Sequence, residues 1–356
     1  MSSMRELAWP LALAALYAAA RLAGVKWLTA AAALALGCWL VYRPSEWAAE
    51  GMESLGLALG FSSYTAGVLS SLASNLPEIV MSSRAAYTGV VKGVPQMVDL
   101  AVLSILSAIG FNMMLLGAVI VLSTRGRRSI PTPPEALAHE LELIRFSIVA
   151  MLLISALGAV SSIPPGGALK MLPREAAALL VASYIAYVVF MLREGREGHG
   201  AEGKELRHSI ALAAAGFAGI AAGSELIVDT VEGFLHLEEV AGVSPVVLGG
   251  VVIGGLGSIP EHMIAIVQAS KGALSFSLGN LVSGLTQSLL LILGGIGVFI
   301  PIALDEYVVF QLMVAAGSLW FLKRSMVDDG KLDLYEGVMV LLVQLLVFSL
   351  LLRGHL

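Results

Sequence analysis

The stretch GGVVIGGLGSIPEHMIAIVQASKG, from Gly249 to Gly272, places a proline, a glutamate and a histidine inside an otherwise apolar run. A run of this length is sufficient to cross the hydrocarbon core of a bilayer as a helix, which needs about 20 residues. A proline interrupts helical hydrogen bonding, and an ionised side chain at that depth is costly. The stretch therefore predicts a membrane helix that carries a functional site.

The composition of the whole chain predicts an integral membrane protein. Of its 356 residues, 58% are hydrophobic and 13% are charged, and the mean hydropathy is +0.88. Soluble domains have about 45–50% apolar and about 25% charged residues. The formal net charge of −5 and the lack of basic blocks interleaved with aromatic residues predict no nucleic-acid partner. The lipid bilayer is the expected partner, and an oligomer is compatible with the sequence.

Apolar runs divide the chain into about eleven candidate membrane-spanning helices. Their approximate bounds are 7–24, 25–42, 61–88, 96–122, 141–160, 173–192, 207–229, 243–270, 276–300, 304–323 and 334–352. A bent hairpin that does not span is the alternative for the first two. The segment 45–60 has apolar residues on one face, which predicts an interfacial helix before the third span.

The proline–glutamate motif occurs twice in the chain. The segment GVLSSLASNLPEIVMSSRAAYTG (67–89) aligns with the opening stretch so that Pro77 matches Pro260 and Glu78 matches Glu261. An odd number of predicted crossings separates the two glutamates, so the two copies run through the membrane in opposite directions. Inverted repeats of this kind are common in secondary transporters, whose site lies near the midplane.

Each copy is followed by a span that is rich in small residues and carries one amide. This residue is Asn112 in SILSAIGFNMMLLG and Gln287 in NLVSGLTQSLLLILGG. The expected fold class is an all-α integral membrane protein with an extra first helix and two inverted five-helix repeats. Its expected parts are the extra helix, the first repeat, a cytoplasmic linker and the second repeat, at 1–24, 25–192, 193–206 and 207–356.

Lysine and arginine predict the orientation of the chain. Of the 21 such residues, fourteen fall on the side of the N-terminus and seven on the other side. Because cytoplasmic loops are enriched in positive charge, we expect the N-terminus in the cytoplasm and the C-terminus outside. The cell membrane is the expected location.

The two motifs offer the chemistry of a cation site. Pro77 and Pro260 each remove a backbone N–H, which frees carbonyl oxygens near Ser74 and Gly257. Two buried glutamates need a neutralising partner, and a desolvated divalent cation such as Ca²⁺ supplies one. When the metal leaves, protons or monovalent cations must replace its charge, which is how an antiporter behaves. Helix packing is the alternative for either motif alone, and their recurrence favours a site.

The motifs SNLPE (74–78) and GSIPEH (257–262) resemble the two alpha-repeats of the calcium/cation antiporter superfamily. The resemblance implies that Glu78 and Glu261 are the principal cation ligands. It adds five neighbours in the site: Asn75, Ser258, Asn112, Ser283 and Gln287. Within the superfamily, the second repeat is most similar to that of the calcium/proton exchangers. This likeness implies a secondary active antiporter that exchanges Ca²⁺ for protons by alternating access and has no cofactor.

Other functions remain as alternatives. A proline next to each glutamate is more similar to the sodium/calcium exchangers, which makes Na⁺ the alternative counter-ion. Those exchangers tend to have a carboxylate where this chain has Gln287, and its absence favours protons. A cation channel is less favoured, because inverted repeats with one carboxylate each favour alternating access. An intramembrane enzyme is also less favoured, since no His-Glu-x-x-His or Gly-x-Ser-x-Gly motif occurs in a suitable context.

Three residues beside the motifs are candidates for a proton relay or an acidic vestibule: His262, Glu225 and Asp229. Histidine titrates near neutral pH, but His262 lies about 100° around the helix from Glu261, so a hydrogen-bonded structural histidine is the alternative. Glu225, Asp229 and Glu232 follow at helical spacing and predict one acidic face. The calcium/proton exchangers carry acidic residues on the corresponding helix, and a solvated helix end is the alternative.

Overall fold

A computed structural model describes residues 2–131, 134–162, 170–194, 203–235, 243–272, 274–328 and 330–352. This part of the chain is mainly helical. It also has one pair of short antiparallel strands, β1 (Ser129–Pro131) and β2 (Lys331–Asp333), and an isolated antiparallel bridge between Met171 and Ala303. The helices are α1 (Ser2–Leu22), α2 (Lys26–Ala58), α3 (Ser63–Ser74), α4 (Leu76–Lys92), α5 (Pro95–Ser123), α6 (Pro134–Ser162), α7 (Arg174–Glu194), α8 (Gly203–Phe234), α9 (Pro245–Ser270), α10 (Leu274–Gln287), α11 (Gly294–Phe299), α12 (Glu306–Asp328) and α13 (Leu334–Leu352). A π-helical segment, Ser288–Leu293, joins α10 to α11.

The fold confirms the expected class of an all-α integral membrane protein. Seven helices of the described residues are long and apolar enough to cross a membrane: Pro95–Ser123, Glu140–Val160, Arg174–Arg193, Leu206–Phe234, Pro245–Ser270, Ser277–Phe299 and Leu334–Leu352. Large apolar side chains such as Trp9, Leu179 and Trp320 are exposed on the outside of the bundle. In water such a surface is unfavourable, whereas a lipid bilayer solvates it.

Two predicted spans are interrupted, and two predicted segments are joined. The run 61–88 divides at Asn75 into α3 and α4, and the run 276–300 contains the π-helical segment. The prediction of a separate interfacial helix at 45–60 is wrong, because this segment continues from the preceding span as α2. Pro44 is tolerated inside α2, since Gly219 of α8 leaves space for its ring.

The first helices of the two repeats, α2 and α8, pack against each other in opposite directions. Gly37 of α2 contacts Ile227, and Gly51 of α2 contacts Ala213, so the residue numbers rise along one helix as they fall along the other. Glycines at such contacts let two backbones approach closely within a bilayer. The antiparallel pair agrees with the inverted arrangement of the repeats.

Helices α4, α5 and α9 meet at the centre of the molecule. Helix α9 lies on α5 so closely that a Cβ on Gly254 would be 2.4 Å from the Ser104 carbonyl oxygen. Helix α4 joins the same group, because the Ser82 and Ser104 hydroxyls are hydrogen-bonded at 2.9 Å. Gly257 of α9 faces Glu78 of α4, and a Cβ there would lie 3.3 Å from the Glu78 Cα. This packing brings both proline–glutamate motifs into the core.

The predicted linker falls between α7, which ends at Glu194, and α8, which begins at Gly203. Residues 195–202 lie outside the described residues. The division of the chain into 1–24, 25–192, 193–206 and 207–356 stays a prediction.

Two glycines of α8 test the close packing between α2 and α8. A Cβ on Gly216 would lie 2.6 Å from the backbone nitrogen of Ala48, whereas a Cβ on Gly233 meets nothing within 4 Å. We expect Gly216→Ala to destabilise the protein by about 1–3 kcal/mol, because backbone atoms cannot yield as a side chain does. Gly233→Ala is the matched control, and thermal unfolding in detergent measures both. Equal melting temperatures for the two variants would contradict the packing described here.

Candidate cation site

The first glutamate lies at the start of a half-helix. Asn75 separates α3 from α4, and Pro77 and Glu78 occupy the first turn of α4. A proline at a helix start loses no intrahelical hydrogen bond, so Pro77 begins a helix here and does not kink one. The Ser74 hydroxyl donates to the Ser71 carbonyl oxygen at 2.8 Å. Glu78 therefore lies at the positive end of a helix dipole, at the interruption of the membrane-spanning path.

The second glutamate lies within a continuous helix. Helix α9 runs through Pro260, and the Ser258 hydroxyl donates to the Gly254 carbonyl oxygen at 2.8 Å. The Glu261 carboxylate lies directly on Gly284 of α10, where a Cβ would be 1.7 Å from its Oε1 atom. The aligned prolines thus have different local effects, because one starts a helix and the other lies inside one.

Both carboxylates are completely enclosed. Glu78 is 1% exposed and Glu261 is 0% exposed. Neither carboxylate oxygen of Glu78 has a hydrogen-bond partner of normal geometry, although the Ser288 hydroxyl lies beside it. Glu261 accepts a hydrogen bond from Asn112 at Oε2, at 2.8 Å, and its Oε1 has no partner. Buried carboxylates with so few donors require neutralisation by a proton or a cation.

A network of amides and hydroxyls connects the two repeats. The Asn75 amide donates to Gln287 Oε1. The Gln287 amide donates in turn to the hydroxyls of Ser71, at 3.2 Å, and Ser283, at 2.9 Å. The Asn75 Oδ1 atom is buried and has no hydrogen-bond partner. The amide hydrogens of Asn75 and Gln287 are therefore used within the network, whereas the Asn75 Oδ1 atom is available to accept a further partner.

His262 is linked to the neighbouring glutamate through α5. Its Nε2 atom lies 2.7 Å from Asn112 Oδ1, while the Asn112 amide donates to Glu261. Because an amide oxygen only accepts, this arrangement requires a hydrogen on His262 Nε2. His262 thus faces a neighbouring helix and is hydrogen-bonded, as the structural alternative predicts. A proton-relay role for His262 stays a prediction.

The structure adds two residues that the sequence reasoning missed, Ser288 and Tyr184. Ser288 is the first residue of the π-helical segment, and its buried hydroxyl lies beside Glu78. Tyr184 of α7 is 2% exposed, and its hydroxyl lies beside the Gln287 side chain. The position of Ser288 directly after Gln287 could have indicated its role. No motif in the sequence connects α7 with the repeats, so Tyr184 could not have been found in this way.

The acidic residues of α8 lie apart from this network. Glu225 and Asp229 are more than half exposed, and each lies 3.7 Å from the Arg84 guanidinium of α4. Glu232 forms an ion pair with Lys92 at 2.7 Å. These basic partners offset much of the negative charge of the acidic face. A vestibule role for Glu225 and Asp229 stays a prediction.

The enclosed oxygen atoms suit a hard cation. Among the described residues, no three His, Cys, Asp or Glu side chains are grouped so as to hold a metal ion. The enclosed groups are two carboxylates with amide and hydroxyl oxygens, which is the set that Ca²⁺ prefers. Zinc and copper sites use histidine and cysteine instead.

The fold and the site together define a membrane transporter of the cation antiporter class. The sequence profile of the family described as "Sodium/calcium exchanger protein" matches residues 29–193 and 208–353, and the chain belongs to this family. The resemblance to the calcium/cation antiporter superfamily is thereby confirmed, and the chain is a multi-pass membrane protein. No curated protein sequence compared with this chain matches it significantly.

Two solved structures illustrate the shared fold. The crystal structure of the H⁺/Ca²⁺ exchanger CAX has 16% identity and a TM-score of 0.72, over 98% of this chain and 92% of that chain. The sodium-calcium exchanger NCX_Mj, soaked with 10 mM Na⁺ and 10 mM Sr²⁺, has 18% identity and a TM-score of 0.63, over 90% and 97%. At these identities the likeness establishes the architecture alone, and exchangers of both kinds have it.

Two glycines of α10 test the site. Gly284→Ala places a methyl group where the Glu261 carboxylate lies, whereas Gly279→Ala meets nothing within 4 Å. We expect Gly284→Ala to weaken Ca²⁺ binding at least about tenfold, equivalent to about 1.4 kcal/mol. Gly279→Ala is expected to bind as the wild type does. Ca²⁺-dependent thermal stabilisation in detergent measures both, and wild-type affinity in Gly284→Ala would exclude this location.

Proposed function

We propose that this protein is a secondary active antiporter that exchanges Ca²⁺ for protons by alternating access. One observation carries the proposal: each inverted repeat contributes one enclosed carboxylate, and three of the four carboxylate oxygens have no hydrogen-bond partner. Such oxygens are unfavourable inside a bilayer unless a positive charge occupies the site. Ca²⁺ is therefore assigned to the space between Glu78 and Glu261.

The oxygen ligands come from both halves of the chain. Asn75 Oδ1 and Ser288 Oγ are buried and lack hydrogen-bond partners, so they add two neutral donors to the carboxylate oxygens. Ca²⁺ takes six to eight oxygen ligands, and a mixture of carboxylate, amide and hydroxyl groups suits it. The two carboxylates neutralise the charge of one divalent cation. Asn112 and Gln287 orient these ligands through their hydrogen bonds.

Protons are the proposed counter-ion because the described side chains hydrogen-bonded around the two glutamates add no further charge. Within the described residues, the groups hydrogen-bonded around the two glutamates are neutral amides and hydroxyls, and Gln287 adds no charge. When Ca²⁺ leaves, the two carboxylates are the groups that can take up protons. Protonation removes their negative charge and requires no further ligands from the protein. Ca²⁺ and protons then compete for the same oxygens.

Sodium is the second candidate counter-ion. It is favoured by the name of the matching family and by the likeness to NCX_Mj, which was solved in the presence of Na⁺. Na⁺ would use the same hard oxygens and would leave the carboxylates ionised. Fold similarity favours neither ion, since CAX is described as an H⁺/Ca²⁺ exchanger.

The proposal also includes the membrane location and the orientation of the protein. The distribution of its 21 Lys and Arg residues supports a cell-membrane location with a cytoplasmic N-terminus and an external C-terminus. The transported substrates are inorganic cations, and no cofactor or enzymatic activity is assigned. Site access then alternates between the two sides, as inverted-repeat transporters require.

Removing either charge should stop exchange. We expect Glu78→Gln and Glu261→Gln each to abolish Ca²⁺ uptake in proteoliposomes, because glutamine keeps the shape of the side chain and loses the charge. Glu175→Gln, which alters an exposed carboxylate at the start of α7, serves as the control. Retained melting temperatures would show that the variants fold, and wild-type uptake in both site variants would remove the site from this location.

The pH dependence distinguishes the two counter-ions. If protons are exchanged, apparent Ca²⁺ affinity weakens as the pH falls, because protonated carboxyls bind no cation. Each bound Ca²⁺ then releases protons that a dye detects in weakly buffered detergent solution, and a pH gradient drives uptake without sodium. Uptake that requires a sodium gradient at constant pH, with no proton release on binding, would establish the sodium alternative instead.

A further inference from the structure

Pro260 divides helix α9 into two parts that have different neighbours. The part before the proline packs on α5, where a Cβ on Gly254 would lie 2.4 Å from the Ser104 carbonyl oxygen. Because proline has no backbone N–H, α9 lacks the hydrogen bond that residue 260 would donate to the carbonyl oxygen of Leu256. Glu261 is the first residue beyond this weakened point. Its position therefore depends on what holds the second part of α9.

Helix α10 holds the second part of α9 through hydrogen bonds to its backbone. The Ser277 hydroxyl donates to the Ala265 carbonyl oxygen at 2.8 Å, and the Asn280 amide donates to the Glu261 carbonyl oxygen at 3.3 Å. Both side chains of α10 are buried. One turn further along, Gly284 leaves the space in which the Glu261 carboxylate lies. Helix α10 therefore positions Glu261 at its backbone and at its carboxylate.

The same helix also holds the first repeat. The Asn75 amide donates to Gln287 Oε1, and the Gln287 amide donates to the Ser71 hydroxyl at 3.2 Å. Asn75 directly precedes α4, whose first turn carries Glu78. Positions 277, 280, 284 and 287 follow at spacings of three and four residues, so they lie along one side of α10. One side of a single helix thus connects the two backbone segments that carry the carboxylates.

The separation of the two carboxylates decides which cation fits between them. Ca²⁺ takes oxygen ligands at about 2.3–2.6 Å, whereas the smaller Mg²⁺ requires about 2.0–2.1 Å. Sr²⁺ is larger than Ca²⁺ and needs longer distances. A site whose ligands are held at one separation fits one ionic radius best, and a flexible site discriminates less between cations. The groups that fix the separation therefore determine the selectivity of the site.

We propose that Ser277 and Asn280 are positioning residues that set the cation selectivity of the exchanger. The inference rests on the proposed function, since it concerns the same Ca²⁺ site. Neither side chain is a ligand in this scheme, because both donate their hydrogens to backbone oxygens of α9. They keep the second part of α9 from moving about Pro260, and so hold Glu261 at a fixed distance from the ligands of the first repeat. Without them, the site adapts to smaller and larger ions.

The test compares the binding of three cations by the full-length protein in detergent. The variants are Ser277→Ala, Asn280→Leu, which keeps the branched shape of the side chain and removes its donor, and the combination of both. Ca²⁺, Mg²⁺ and Sr²⁺ are titrated separately, and the concentration at half of the maximal rise in melting temperature reports the apparent affinity. The control is Ser318→Ala, which removes a buried hydrogen bond between α12 and α13, where the Gln344 amide donates to the Ser318 hydroxyl at 2.9 Å.

The expected result is a loss of selectivity. Ser277→Ala and Asn280→Leu should each lower the ratio of Ca²⁺ to Mg²⁺ affinity, and of Ca²⁺ to Sr²⁺ affinity, about threefold, because each loses one hydrogen bond of ordinary strength. The combined variant should lower both ratios about tenfold if the two bonds act independently. Ser318→Ala should lower the melting temperature of the cation-free protein and leave both ratios unchanged. Ser277→Ala removes only one oxygen atom, so it decides the matter even where Asn280→Leu does not fold.

Three outcomes would overturn the inference. Equal weakening of all three cations, with unchanged ratios, would show that the two residues are structural. Wild-type affinities in the combined variant, beside a wild type that binds Ca²⁺, would show that other contacts hold Glu261, while the proposed function still stands. A wild type that Ca²⁺ does not stabilise at any concentration would overturn the proposed function, and this inference with it.

Discussion

The structure depends on the cost of burying two negative charges in a medium that cannot solvate them. Glu78 and Glu261 are enclosed at the centre of the molecule, and the surrounding donors satisfy one of their four carboxylate oxygens. An ionised carboxylate in hydrocarbon costs several kcal/mol, so the site always requires compensating positive charge. In the proposed mechanism this requirement leads to exchange, because one cation leaves the site only when another positive charge replaces it.

Small residues make this enclosure possible. Gly257 lets α9 approach α4 at Glu78, and Gly284 leaves the space that the Glu261 carboxylate fills. Further glycines bring α2 against α8 along most of their length. Hydrophobic burial gives little preference for helix contacts over lipid contacts in a bilayer, so close packing and shared hydrogen bonds hold the bundle together. The glycines therefore serve the site as much as the fold.

The repeats could be predicted from the sequence because proline and glutamate are conspicuous within membrane-spanning apolar runs. Proline and glutamate are rare enough in apolar runs that their recurrence at Pro77–Glu78 and Pro260–Glu261 indicated both the inverted architecture and the residues that meet. The break at Asn75 and the π-helical segment were not predictable, since both depend on neighbouring helices. Tyr184 was missed for the same reason, because the contacts of α7 with the core follow from tertiary packing and from no pattern in the chain.

The aligned prolines show two local structures for one sequence pattern. Around Pro77 the helix is divided, whereas around Pro260 it is continuous. The proline–glutamate pair therefore does not determine the local structure by itself, and the residues and helices around it decide whether the helix divides. Since the two halves run in opposite directions, the divided helix and the continuous helix give the site different surroundings towards the two sides of the membrane.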